Sequence, residues 1–238
     1  MWQPTVEHMA EFHCLVPDLP EQGQSTKLGP FRITDAAGLV ADLIRERAHN
    51  GRAHIVGLSL GAQVTIAILA NAPELVQRAI LTGALVRPLP GARLTGSLLR
   101  LYAPFKNISW LVEANRRAYD VPDALAEAFR QDSYSLSATA MGRVMAENIA
   151  FRLPARLNRA RAATLVVVGQ KEYGIMKQSA RDLVIALPHG HGVIAEGQRH
   201  NWPLAAPKLA AHLIRGWIAA QPLPKGFAPL AGNGNRQQ

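Results

Sequence analysis

Cysteine is nearly absent: Cys14 is the single one among 238 residues. An intrachain disulfide is thereby excluded, and no Cys/His cluster has the spacing of a structural zinc site. No apolar run is long enough to span a bilayer. The opening Met-Trp-Gln-Pro-Thr-Val-Glu-His has neither a basic start nor an apolar stretch behind it. It does not read as a secretory signal, and the expected compartment is the cytoplasm. Charged residues are scarce, at 18% against a usual share of about 25%. Acidic residues are the scarcer sign, 17 against 26 Lys and Arg, for a net charge of +9. What is plentiful is apolar side chain, 48% of the chain, enough for a sizeable core and too much for general disorder. At about 150 residues per domain, the length suits one to two domains.

The basic balance does not read as a nucleic-acid surface. Between Val86 and Arg161 there are 12 Lys and Arg against 6 Asp and Glu, but they stand singly along a helical-looking stretch. No basic run and no interleaved aromatics occur there. A solvated helical face is the simple reading, and a field that draws in anionic substrates is the sharper one. The sharper reading predicts that substrates bearing a carboxylate are favoured at low salt.

Short apolar runs alternate with longer amphipathic ones. Strands are expected at residues 12–16, 53–57, 78–83, 163–169 and 192–195, and helices at 33–50, 60–70, 179–187 and 207–220. Ala-Thr-Leu-Val-Val-Val-Gly at 163–169 is the strongest strand signal. Its run of branched apolar residues ending at glycine suggests burial on both faces, as in a parallel sheet. The order predicts an α/β fold: an open, mostly parallel sheet with helices on both faces. The stretch 89–151 has no strand signal and reads as a helical cap inserted into a core made of 1–88 and 152–220. The Pro- and Gly-rich remainder, 221–238, reads as a flexible tail.

Gly57-Leu58-Ser59-Leu60-Gly61 fits G-x-S-x-G where a strand turns directly into a helix. A turn that sharp strains the serine backbone and leaves little room for side chains on either flank. It lifts the serine hydroxyl above the sheet edge, beside the free N–H of Leu60, a candidate oxyanion donor. A serine hydroxyl needs a base, and the base needs an orienting acid. In this architecture the chain order is serine, acid, histidine. Glu172 follows the strongest strand, and His200 follows the last one, ahead of the closing helix. The competing acids fare worse: Asp182 falls on a helix, and Asp120, Asp123 and Asp132 fall in the insertion. So do the competing histidines, with His54 inside a strand and His189 and His191 ahead of the last strand.

With these residues in view, the chain resembles the α/β-hydrolase superfamily from Trp2 to about Ile218. Residues 17–25 look like the family's Asp-x-x-Gly-x-Gly-x-Ser stretch, with Glu21 and Gln22 where it often has Gly-His. Residues 57–61 resemble the nucleophile elbow. Residues 169–172 resemble the acid loop, with Glu in place of the commoner Asp, and 197–200 resemble the segment that delivers the histidine. The resemblance implies a serine hydrolase with Ser59 as nucleophile, His200 as base and Glu172 as orienting acid. It implies no metal or organic cofactor, and a small-molecule ester or acyl substrate shaped by the cap. Serine at the elbow disfavours haloalkane dehalogenase and epoxide hydrolase chemistry, where the relatives use Asp. One departure stands out: the family's preceding strand and His-Gly loop, which supply a second oxyanion donor, are not matched. A start codon assigned too far downstream is the expected explanation. Direct pairing of strands 12–16 and 53–57, or a true truncation with little activity, are the alternatives. On the truncation the protein would be a weak hydrolase or a binding protein. C–C or lactone cleavage by the same triad also stays open.

Overall fold

The computed structural model describes residues 1–87 and 105–230. After a single helical turn, α1 (Gln3–Val6), the chain reaches α2 (Ile33–Arg47), β1 (Ala53–Leu58), α3 (Leu60–Asn71) and β2 (Val76–Thr82). Three helices follow: α4 (Ser109–Ala118), α5 (Ala126–Ser135) and α6 (Ala138–Ala150). The chain then returns through β3 (Ala163–Gly169), α7 (Gly174–Ala186), β4 (Gly190–Ala195), α8 (Trp202–Ala205), α9 (Pro207–Ile218) and β5 (Phe227–Pro229). The sheet order is β1-β2-β3-β4-β5, with β1 to β4 parallel and β5 antiparallel to β4.

Strand β3 is buried from Thr164 onward, as its sequence predicts. Its residues alternate between two cores. Leu165 and Val167 join Ile80, Ala211 and Leu213 on the α9 side, while Val166 and Val168 join residues of α2, α3 and α7 on the other. Helix α3 is buried continuously from Ala62 to Ala70, because α2, the sheet and the cap enclose it. The register sets Leu58 beside Thr82, Thr82 beside Val167 and Gly169 beside Ala195. The carboxyl ends of four parallel strands therefore share one rim, where such sheets place their ligands.

Two expectations are corrected. Residues 12–16 form no strand. Phe12 and Cys14 pack on the α9-side core instead, and among the described residues β1 pairs only with β2. An alternating apolar segment needs a neighbouring strand for its ladder, and direct pairing with β1 does not occur. Strand β1 is accordingly only half-buried over its first four residues. The expected flexible tail is the second correction. Phe227–Pro229 pair with Val193–Ala195, and Leu230 is buried, so the Pro-rich stretch is anchored at the sheet edge. Residues 231–238 of that tail, and 89–104 of the expected cap, lie outside the described residues.

The described part of the stretch expected as a cap is helical and is tied to the core by polar contacts. Glu147 on α6 accepts the Ile33 N–H at 2.9 Å, satisfying a donor at the start of α2 that Arg32 does not cap. Arg143, one turn earlier, pairs with both carboxylate oxygens of Glu21 through Nε and Nη2 of its guanidinium. The fully buried Gln63 amide donates to the carbonyls of Leu85 and Asn148, at 2.7 and 3.0 Å.

Candidate active site

Ser59 is the junction residue between β1 and α3 and has φ 54° and ψ −113°, a conformation that non-glycine residues rarely adopt. Its N–H donates to Thr82 O at 2.9 Å, and its carbonyl accepts the N–H groups of Ala62 and Gln63. Those bonds from the first turn of α3 over-determine the strain. A Cβ on Gly57 would lie 2.5 Å from Gly61 O and 2.7 Å from Ala62 Cα, so this flank of the turn must be bare. Gly61 itself has open space where its Cβ would be, so only the first of the motif's two glycines is needed for its own clearance. Leu60 is the first residue of α3, and its N–H belongs to the donors that a helix start leaves without internal partners.

Glu172 and His200 meet: His200 Nδ1 lies 2.7 Å from Glu172 Oε2. The glutamate side chain is 2% exposed and the imidazole 32%. The other carboxylate oxygen accepts the Gly169 N–H at 2.9 Å. The two loops are stitched together around this contact. Lys171 N donates to Gln198 O at 2.8 Å, Gln170 N to Ala195 O at 2.9 Å, and Gly197 N to Gln170 Oε1 at 2.7 Å. A carboxylate this deep is tolerable because both oxygens are hydrogen-bonded.

The serine turn and the histidine loop are brought to the same place through the end of β2. Thr82 O holds the Ser59 N–H, and Thr82 Oγ1 accepts the indole N–H of Trp202 at 2.9 Å. The next residue, Gly83, has φ 59°, and a Cβ there would sit 2.7 Å from His200 Cε1 and 2.8 Å from Nδ1. Only glycine both accepts that backbone and lets the ring pack against it. Thr82, Gly83, Asn201 and Trp202 were not singled out by sequence reasoning. A glycine closing a strand and a tryptophan following the histidine were the available signals, and neither is specific.

The rejected candidates are engaged elsewhere. Asp182 pairs with Arg87 at 2.5 Å and Asp123 with Arg116 at 2.7 Å, while Asp120 lies 3.7 Å from Arg199. His54 lies within β1, where burial and then Arg78 hold its pKa below the ordinary value. The expected cationic field of the cap is also absent from its described part. Arg116 and Arg117 share Glu113, Arg130 pairs with Glu127 and Arg143 with Glu21. Hydrogen bonds from Arg116, then Arg117, hold Glu113 down to a pKa of about 2. The described part of the cap thus adds no unpaired arginine to support the predicted preference for carboxylate-bearing substrates; Arg93 and Arg100 lie outside the described residues. Arg52, Arg159 and Arg161, none of them in an ion pair among the described residues, line an open recess of about 1000 Å³ at the opposite end of the sheet.

Among the described residues no group of three or more His, Cys, Asp or Glu is arranged to hold a metal ion, and no helix is long and apolar enough to cross a membrane.

Residues 1–213 match the alpha/beta hydrolase family. An AB hydrolase superfamily protein of Gibberella zeae is 29% identical over 233 residues, covering 95% of this chain and 77% of that protein. The esterase of Thermogutta terrifontis, solved with malate bound, superposes with a TM-score of 0.76 at 21% identity, over 92% of this chain and 84% of its own. The enol-lactonase of Burkholderia xenovorans does so with a TM-score of 0.75 at 16% identity, over 92% and 85%. With a mostly parallel sheet, helices on both faces and this match over most of its length, the chain belongs to the alpha/beta hydrolase family.

Proposed function

We propose that the protein is a serine hydrolase that cleaves a carboxylic ester or related acyl bond of a small molecule, using Ser59, His200 and Glu172. The observation that carries the reading is the Glu172–His200 contact at 2.7 Å, beside the β2 end that also holds the strained Ser59 turn. His200 Nδ1 donates its proton to Glu172, which fixes the tautomer and leaves Nε2 as the base. Ser59 Oγ attacks the substrate carbonyl while Nε2 takes its proton. The tetrahedral oxyanion is met by the Leu60 N–H. Collapse expels the alcohol, which receives the proton from His200, and leaves an acyl-serine. Water, deprotonated by the same nitrogen, releases the acid and restores the hydroxyl. Glu172 stays ionised and stabilises the imidazolium in both halves. The division into a core (1–88, 152–220) and a cap (89–151) goes with this reading, the cap shaping the acyl pocket. No metal or organic cofactor takes part in the scheme.

The test is hydrolysis of a short-chain p-nitrophenyl ester by the wild type and by Ser59→Ala. A fall of roughly 10⁴-fold or more in kcat is expected, and equal rates would remove Ser59 from the reaction. One observation favours a second reading, a weak hydrolase or ligand-binding protein. Strand β1, which presents Ser59, is braced by a neighbouring strand on one side only among the described residues. Failure of a fluorophosphonate to label Ser59 in the folded wild type would favour that reading. The likeness to an enol-lactonase makes lactones the substrates to try next to open-chain esters.

A further inference from the structure

His200 is supported from three directions, and one of them is the cap. From the core, Glu172 holds Nδ1, and the Trp202–Thr82 bond with Gly83 backs the ring. From the cap, the residues on either side of the histidine reach the turn that ends α4. The Asn201 amide donates to Tyr119 O at 2.8 Å, and the Arg199 guanidinium lies 3.7 Å from the Asp120 carboxylate. Asn201 is 6% exposed, so the donor end of its part-buried bond is sheltered, whereas the exposed Arg199 pair is weak.

The turn that accepts Asn201 is itself firmly built. Tyr119 is the C-cap of α4, and Asp120 turns the chain with φ 51°. A carbonyl at a helix end lacks an internal donor, and Asn201 supplies one. Arg116, whose side chain is 8% exposed, fixes the turn from beneath. It grips Glu113 with two nitrogens at 2.8 and 2.9 Å, Asp123 at 2.7 Å and Val121 O at 2.5 Å.

Resting on the proposed role of His200 as base, we infer that Asn201 is a positioning residue that couples the cap to the base, so that His200 is held in its working orientation only while the end of α4 is seated on the histidine loop. Arg116 belongs to the same unit, although it touches neither His200 nor its loop. The core supports of His200 come from strand ends that cannot shift without disturbing the sheet. The cap support is a single side-chain hydrogen bond to a helix end, and it can open. Seating the cap over a substrate and aligning the base thereby become one event, and misalignment at this level lowers the chemical step rather than binding.

The test compares wild type, Asn201→Ala, Asn201→Asp, Arg116→Met and the Asn201→Ala/Arg116→Met double variant, each first checked for cooperative thermal unfolding. With a p-nitrophenyl ester, Asn201→Ala and Arg116→Met are each expected to lower kcat roughly ten- to a hundredfold with KM within about twofold. The double variant should be no worse than the poorer single one, since both break the same link. Asn201→Asp keeps the shape but turns an acceptor toward the Tyr119 carbonyl, and should fall at least as far as Asn201→Ala. An unchanged kcat, multiplying effects in the double variant, or full activity in Asn201→Asp would each overturn the coupling. A readout that needs no turnover is the NMR signal of the His200 Nδ1 proton. It should broaden through solvent exchange in Asn201→Ala and in Arg116→Met, and a signal as sharp as wild type in both would also overturn it. Arg116→Met carries the test if Asn201→Ala does not fold. Fluorophosphonate labelling of wild-type Ser59 separates the two levels. Absent labelling counts against the hydrolase reading, while normal labelling with unaffected variants counts against the coupling alone.

Discussion

The sheet and the cap meet at the candidate site, yet they are held by different forces. Leu81, Leu165, Val166, Val167, Val168 and Leu183 are each no more than 1% exposed, and the strands carrying the candidate residues end within that packed interior. In the described cap the buried apolar side chains are few, chiefly Val112, Val121, Ala140 and Ile149. Its attachments are the polar pairs Arg143–Glu21, Glu147–Ile33, Gln63–Asn148 and Asn201–Tyr119, with Val144 and Phe151 half-buried against the core. Apolar burial is non-directional and scales with area, whereas each polar contact contributes about 1 kcal/mol net and depends on geometry, pH and salt. A core of the first kind holds Glu172 and His200 together. A cap held largely by contacts of the second kind is expected to loosen before what lies below it.

The contrast can be broken at its strong end first. Leu165→Ala removes a fully buried side chain between β2 and β4. It should cost about 2–5 kcal/mol in urea unfolding, and a loss under about 1 kcal/mol would mean that the sheet interior is looser than its burial implies. Gln63→Leu sits at the boundary. The change keeps the volume but strips the carbonyls of Leu85 and Asn148 of their donor. About 1–3 kcal/mol should be lost, with hydrogen exchange quickened in α6 more than in β3. Equal quickening in both would merge the cap with the core.

The smallest effect is the most specific to the cap. Hydrogen bonding from Arg143 holds the Glu21 carboxyl below its ordinary pKa of 4.5. A carboxyl with a depressed folded pKa contributes stability that is present above its unfolded pKa and is lost as pH falls through the folded value. Protection of α6 should therefore weaken as pH drops below 4.5, before the unfolding of β3. In Arg143→Met that step should largely vanish, because protection is already reduced at neutral pH. The Glu113 pair, with its pKa near 2, should keep the α4 turn intact below the ordinary carboxylate range. Loss of both at one pH would show a single cap unit.

Much of the fold could be read along the chain. The β3 run at 163–169 matches the strand residue for residue, and the first strand and helix around Ser59 differ from expectation by one residue at one end each. Helix α7 begins five residues earlier than expected, because Gly174 and the polar positions behind it weaken the apolar signal there. Residues 12–16 mislead for a different reason. Their apolar content is real, but it reports a half-buried segment and says nothing about whether a ladder partner exists. The meeting of Glu172 with His200 was legible because each follows a strand, and parallel strands end on one rim.

Local pattern therefore determined what is local: where strands and helices lie, the strained serine turn, and the order of serine, acid and histidine. Tertiary structure alone decided that Gly83 makes room for the imidazole, that Trp202 leans on Thr82, that the described cap arginines are ion-paired in place, and that Asn201 reaches the end of α4. The reason is physical. Backbone preference and hydrophobic period act between near neighbours and leave a trace in the sequence. A hydrogen bond between residues 82 positions apart is specified only once the packed core has brought the two segments together.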